Sequence, residues 1–211
     1  MKLGVFGGTF NPIHNGHIRA AEEVRTAMNL DMILFVPSGN PPLKSSDIAD
    51  AKDRFAMTEI AINSIKQSYF GISDIELNSK GKSFTVDTVQ TLLRRYHDDS
   101  LYLIVGLDAF LDLPNWYRPK ELISLIDLIV MSRPGLDVSD LTRSPLLIDK
   151  RPYTHNRWHL ASGKTLIYIA ITPYNVSSTQ IRHLVKLGRN IQQLVPVGVA
   201  EYIAAHRLYC S

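Results

Sequence analysis

Short apolar and β-branched runs recur along the chain: KLGVF (2–6), MILFVPS (32–38), YFGISDIEL (69–77), LYLIVG (101–106), DLIVMS (127–132) and TLIYIAI (165–171). They show no polar alternation, as expected of strands covered on both faces, and each reads as a strand of a parallel sheet. Between them the apolar residues change to a spacing of three and four. This spacing predicts helices at about 15–28, 51–65, 84–96, 119–126, 178–187 and 197–206. Strand and helix alternate, so the expected class is α/β: a doubly wound, mostly parallel sheet with helices on both faces. In such sheets ligands bind beyond the carboxyl ends of the strands, and functional residues are sought there. Residues 133–164 are the least periodic, rich in Pro, Asp, Arg and His. They read as an irregular excursion from one domain spanning 1–211.

Composition narrows the class. Of 211 residues, 45% are hydrophobic and 20% charged, and no apolar run approaches the ~18 residues of a membrane span. The chain enters a strand at once, with no basic flank or long apolar leader, so secretion is not expected and the cytoplasm is. Its one cysteine, Cys210, permits neither an internal disulfide nor a thiolate zinc site. A net charge of +3, with no dense Lys/Arg block, argues against nucleic acid and suits a small anionic ligand.

Chemistry concentrates in GGTFNPIHNGH, residues 7–17, between the first strand and the first helix. Backbone N–H groups and the positive end of a helix dipole meet there, which favours phosphate. Gly7 and Gly8 let the main chain approach a ligand, Pro12 stiffens the loop, and Gly16 clears space beside His14 and His17. The stretch is neither G-x-G-x-x-G nor a P-loop. Three readings compete for the two histidines. They can be structural, although so many special residues in one turn exceed what a turn needs. They can bind zinc, although two imidazoles lack further ligands and the glutamate of H-E-x-x-H. They can donate hydrogen bonds to a transferring phosphate, which is the reading favoured.

A second group lies in VSSTQIRHLV (176–185). Ser177 and Gln180 have capping-box spacing, and Gly188 closes the helix. Three consecutive hydroxyl residues exceed one cap, and Arg182 follows Ser178 by one turn, where its planar fork can hold phosphate oxygens. Asp108, just past the LYLIVG strand, can accept from a ribose or adenine or merely cap a helix. Trp116 in LPNWYRP can plug the core or stack on a planar ring. The backbone N–H of Thr85, at a helix start, can receive a carboxylate. Lys44, in PSGNPPLK after the second strand, can reach a phosphate or stay solvated.

HNGH resembles the H-x-G-H signature of the nucleotidyltransferase superfamily, and GVFGGTFNPIHNGH is similar to nicotinate-nucleotide adenylyltransferases. VSSTQIR resembles that family's I-S-S-T-x-I-R, with Val176 for Ile, and the likeness runs over almost the whole chain. Asn11 stands where the family generally has Asp, Leu43 where it commonly has His, and Phe84 where Tyr is frequent.

The resemblance implies a Rossmann-like nucleotidyltransferase fold and transfer of AMP from ATP to nicotinate mononucleotide. The products would be deamido-NAD and pyrophosphate, within NAD biosynthesis. It implies catalytic roles for His14 and His17. ATP would be bound by Gly7, Gly8, Thr9, Phe10, Gly16, Gly106, Asp108, Ser177, Ser178, Thr179 and Arg182. The mononucleotide would meet Asn40 and Lys44, stack on Trp116, and place its carboxylate on the amides of Thr85 and Tyr117. Magnesium is expected through the substrate phosphates, with no protein metal ligand. A homo-oligomer is compatible with this reading, and neither nucleic acid nor membrane is expected as partner. Two rivals are a pantetheine-phosphate adenylyltransferase, which typically lacks the NWY and SFT pair, and a sensor that binds ATP without turning it over.

Overall fold

In a computed structural model of the chain, residues 1–41, 48–65, 67–78 and 81–210 are described. Seven strands form one sheet: β1 (Lys2–Gly8), β2 (Met32–Pro37), β3 (Phe70–Ile72), β4 (Ser100–Gly106), β5 (Asp127–Met131), β6 (Arg157–His159) and β7 (Thr165–Ile169). Their order is β3-β2-β1-β4-β5-β7-β6. The order runs from β1 through β2 to β3 on one side and through β4 and β5 to β7 on the other, with β6 outermost, so it reverses between β1 and β4, where doubly wound sheets bind ligands. The β1–β4, β4–β5 and β5–β7 pairs are parallel, and β6–β7 is antiparallel.

Among the described residues seven α-helices accompany them: α1 (Asn15–Met28), α2 (Ala51–Asn63), α3 (Thr85–Arg95), α4 (Leu107–Asp112), α5 (Pro119–Leu125), α6 (Ser178–Lys186) and α7 (Val197–Ala205). Six stand within two residues of the expected spans. The short α4 is new, because six residues after a strand are too few to show a helical period. The expected strand at 69–77 shrinks to Phe70–Ile72. The excursion at 133–164 holds a 3₁₀ helix, Val138–Arg143, and the strand β6. That 3₁₀ helix opens on a capping box, Asp137 accepting from Ser139 N–H while Asp140 accepts from Asp137 N–H. β6 escaped notice because it has three residues and buries only Trp158.

Two compact units are distinguished. The first comprises Met1–Gly7, Glu23–Ile33 and Phe84–Pro173, the second Gly8–Glu22, Leu34–Ser83 and Tyr174–Ser211. In the first, Leu3, Val5, Leu103, Ile104, Leu128, Ile129, Val130 and Leu166 are buried along the parallel strands. The strands pack closely: a Cβ on Gly4 would lie 2.8 Å from Ile104 Cδ1 and 2.9 Å from Leu30 Cδ1. α3 joins this core through Val86, Val89 and Leu92, three apart on one face. In the second unit, Ile13, Phe35, Met57, Ala61, Ile181, Val199 and Ile203 are buried. There α7 lies against α2, with the Tyr202 hydroxyl donating to Asp53 at 2.9 Å.

Candidate functional site

The turn after β1 and the start of α6 lie together in the second unit. The Ser178 hydroxyl donates to the carbonyl of Pro12 at 2.8 Å, and Arg182 Nη1 donates to the carbonyl of Asn11 at 3.0 Å. Two motifs more than 160 residues apart thus share one surface.

His14 precedes α1 as its cap, and His17 is its third residue. Each ring accepts at Nδ1 from the other's main-chain N–H, at 3.3 Å in both directions. This is the reciprocal arrangement of a capping box, built from two imidazoles in place of a hydroxyl and a carboxylate. The spacing of three therefore has a structural cause as well as a chemical one. An accepting Nδ1 leaves the proton of a neutral imidazole on Nε2. The rings stack at 3.7 Å between centroids, and His17 also meets the edge of Phe10 at 5.1 Å. His14 is buried and His17 half-buried. Gly16 is required here: a Cβ would stand 3.0 Å from His14 Nδ1 and 2.8 Å from Val176 Cγ1. A Cβ on Gly8 would press the Phe10 ring at 3.1 Å, while one on Gly7 would meet nothing. Phe10 holds a left-handed φ of 45°, an uncommon conformation for a large side chain.

α6 begins as its sequence foretells, with Ser177 Oγ accepting from Gln180 N–H at 3.1 Å, and Gly188 follows it at φ 65°. Arg182 is more committed than its sequence suggests. Besides Asn11, its Nη2 lies 3.4 Å from Thr179 Oγ1, while its buried Nε–H has no hydrogen-bond partner among the described residues.

Arg54, in α2, escaped the sequence reading. It is 1% exposed and donates to three main-chain carbonyls, those of Thr9 at 2.8 Å, Gly39 at 2.9 Å and Ala49 at 3.0 Å. Burial pulls its pKa below the usual arginine value, against the opposing influence of Tyr209, Glu76 and Asp50. One cation thus ties the turn after β1 to the loop after β2. The signal was present: Arg54 lies on the stripe continued by Met57, Thr58 and Ala61 at helical spacing, where an apolar residue belongs. In the loop after β2, Asn40 and Ser83 exchange bonds, Asn40 N–H to Ser83 Oγ at 3.1 Å and Ser83 N–H to Asn40 carbonyl at 3.0 Å. A Cβ on Gly39 would collide with the carbonyl of Glu76. Lys44 and Leu43 lie outside the described residues.

In the first unit, Trp116 is half-buried and its indole N–H donates to Asp112 at 3.2 Å, so it does not plug the core. The next residue, Tyr117, meets the Phe84 ring at 4.3 Å between centroids, tilted by 31°. Phe84 is the residue before α3, whose first turn has no side-chain cap. Tyr117 and the amide end at Thr85 are therefore brought together. Arg118 locks the corner in a left-handed φ of 53°, with ion pairs to Glu121 at 2.5 Å and Asp87 at 3.6 Å. Asp108 lies in the first turn of α4 and accepts from Arg133 Nε at 3.0 Å. It is not the N-cap, a place taken by Gly106. A Cβ on Gly106 would collide with both the Asp108 carboxylate and Arg133. Arg133, just past β5, is a partner that nothing local in the sequence announced.

A family model described as cytidylyltransferase-like matches residues 5–184, which sets the class of protein. A protein of Geobacter sulfurreducens, named "Probable nicotinate-nucleotide adenylyltransferase", is 39% identical over 99% of this chain and 98% of its own. One of Syntrophotalea carbinolica with the same name is 41% identical over 100% and 98%. The fold is also that of a solved Plasmodium falciparum nicotinic acid mononucleotide adenylyltransferase complexed with NaAD. That structure has a TM-score of 0.76 at 20% identity, covering 99% of this chain and 97% of that one. The chain belongs to the nicotinate-nucleotide adenylyltransferase family.

Proposed function

We propose that the protein transfers AMP from ATP to nicotinate mononucleotide, yielding deamido-NAD and pyrophosphate in NAD biosynthesis. The observation that carries this reading is the pair of hydrogen bonds from Ser178 and Arg182 to the carbonyls of Pro12 and Asn11. They put the N-terminus of α6 beside the histidine turn that opens α1, two electropositive helix starts suited to one polyphosphate.

The acceptor's phosphate, with a second pKa of ~6, is already mostly dianionic at neutral pH, so the attack needs no general base. Catalysis then consists of holding two anions together and stabilising the charge that builds on the α-phosphate and the leaving pyrophosphate. The Nε2–H donors of His14 and His17 serve the α-phosphate. The residue 7–10 main chain, Gly16, Ser177, Ser178, Thr179 and Arg182 hold the ATP phosphates. The unpartnered buried Nε–H of Arg182 suits a phosphate oxygen, since leaving it unpaired is costly. Gly106 and Asp108 bind the nucleoside of ATP, and Arg133 steers the Asp108 carboxylate. Trp116 stacks on the pyridine ring, and the amides of Thr85 and Tyr117 take its carboxylate. Asn40 and Lys44 contact the mononucleotide.

Magnesium is proposed to be carried by the substrate phosphates; among the described residues no group of three or more His, Cys, Asp or Glu side chains could hold a metal ion. When bound, that ion would neutralise phosphate charge. Among the described residues no helix is long and apolar enough to cross a membrane.

The test is pyrophosphate release from ATP with nicotinate mononucleotide, nicotinamide mononucleotide and phosphopantetheine in parallel. Release with the first, and weaker release with the neutral amide, is expected. Preference for phosphopantetheine, or ATP binding without release, overturns the proposal.

A further inference from the structure

Asn11 sits inside the histidine turn, is 5% exposed, and is held from three directions. Its main-chain carbonyl accepts from Arg182 Nη1 at 3.0 Å. Its side-chain Oδ1 accepts from the N–H of Ala49 at 3.0 Å and from the hydroxyl of Tyr209 at 2.8 Å. One residue thus fastens the turn to α6, to the segment before α2, and to the segment after α7.

Tyr209 is unusual in its own right. It follows α7 in a left-handed φ of 63°, a conformation a bulky residue keeps only when its surroundings impose it. Burial pushes its phenol pKa well above the ordinary tyrosine value, although Arg182 and Arg54 pull the other way. The hydroxyl therefore stays protonated across the working pH range and always donates. The tyrosine lies within the field of both guanidinium groups that grip the turn: Arg54 through the Thr9 carbonyl and Arg182 through the Asn11 carbonyl. A polar group this well paired in a buried place is costly to disturb.

We propose that Tyr209 is a positioning residue for adenylyl transfer: through Asn11 Oδ1 it fixes the carbonyl that orients Arg182 and the turn that aims His14 and His17. The proposal rests on the adenylyl-transfer reading above. It also explains how this chain works with Asn at position 11. The oxygen that accepts from Ala49 and Tyr209 is common to Asn and Asp, so the neutral side chain makes the same two bonds.

The experiment compares Tyr209→Phe, Asn11→Ala, Asn11→Asp and the Tyr209→Phe/Asn11→Ala double variant with wild type. Amide hydrogen exchange at residues 10–18 is measured alongside kinetics. Tyr209→Phe is expected to lower kcat/KM for ATP about tenfold, since small misplacements of positioned groups are magnified in turnover. KM for nicotinate mononucleotide and the far-ultraviolet dichroism are expected to stay unchanged, while exchange at His14 and His17 accelerates. Asn11→Ala is expected to match it, the double variant to lose no more than the worse single one, as for groups acting through one bond, and Asn11→Asp to keep most activity.

Wild-type kcat/KM and exchange in Tyr209→Phe would overturn the proposal, as would a KM for nicotinate mononucleotide raised as much as that for ATP. If Tyr209→Phe does not fold, the contrast between Asn11→Asp and Asn11→Ala decides, and equal behaviour of those two rejects it. A wild-type enzyme that releases no pyrophosphate defeats the adenylyl-transfer reading instead, and the exchange data still report on the Tyr209 link.

Discussion

His14 and His17 accept each other's main-chain N–H groups at Nδ1, both at 3.3 Å, with their rings stacked at 3.7 Å. The same pair starts α1 through Nδ1 of each ring, and the proposed chemistry assigns the opposite nitrogen, Nε2, to the phosphate. On that proposal the structural and functional readings of the histidines are compatible.

Substitutions at His17 can separate the two. His17→Ala loses both the cap and the donor; His17→Gln keeps a side chain able to accept at the third helical position. Turnover is expected to fall in both by about 10² to 10³, or ~3 to 4 kcal/mol, as when one preorganised donor is removed. Only His17→Ala should also lose about 1 kcal/mol of folding stability, the usual worth of a cap. Steady-state kinetics with thermal melts check this, and wild-type turnover in either variant would remove His17 from catalysis.

Gly16→Ala ought to stabilise an ordinary helix by roughly 0.5 to 1 kcal/mol. Here its Cβ would meet Val176 Cγ1 at 2.8 Å and His14 Nδ1 at 3.0 Å, and the branched valine yields poorly. The expected result is a protein that folds but turns over roughly 10 to 10² times more slowly. A crystal structure should show the His14 ring displaced from its stack on His17.

Trp116 is clipped by Asp112 at 3.2 Å and only half-buried, so its removal opens no cavity in the core. Trp116→Ala is expected to weaken nicotinate mononucleotide by ~1 to 3 kcal/mol, the range for stacking on an aromatic face. KM for ATP should hardly move. Calorimetric titration of the mononucleotide is the measurement, and unchanged affinity would confine Trp116 to the Asp112 clip.

Arg54→Leu leaves three carbonyls, those of Thr9, Gly39 and Ala49, without their donor. Half-buried acceptors left unpaired around a buried site make this the most destabilising of the changes considered, at ~2 to 4 kcal/mol by denaturant unfolding. Arg54→Lys should recover only part of the loss, since one ammonium cannot spread over three carbonyls as the guanidinium fork does. Equal stability of Arg54→Leu and wild type would show that water replaces the lost donor.

Much of this molecule was legible in one dimension. Apolar runs and helical spacing are local properties, so six of the seven helices and the strands β1, β2, β4, β5 and β7 stand close to where periodicity put them. Capping is local too, and the bond from Gln180 N–H to Ser177 followed from their spacing. The glycine and histidine turn was recognisable because its residue types make sense only together.

Tertiary structure alone decided the partners. Arg182 could be read as a free fork, yet it spends one nitrogen on Asn11; Asp108 could be read as a free carboxylate, yet it receives Arg133. The stripe of Met57, Thr58 and Ala61 foretells that Arg54 is buried but not its three carbonyl partners, and nothing near Tyr209 foretells Asn11. The reason is physical: period and capping depend on residues a few positions apart, whereas a buried polar side chain takes whatever partner chain folding brings within 3 Å.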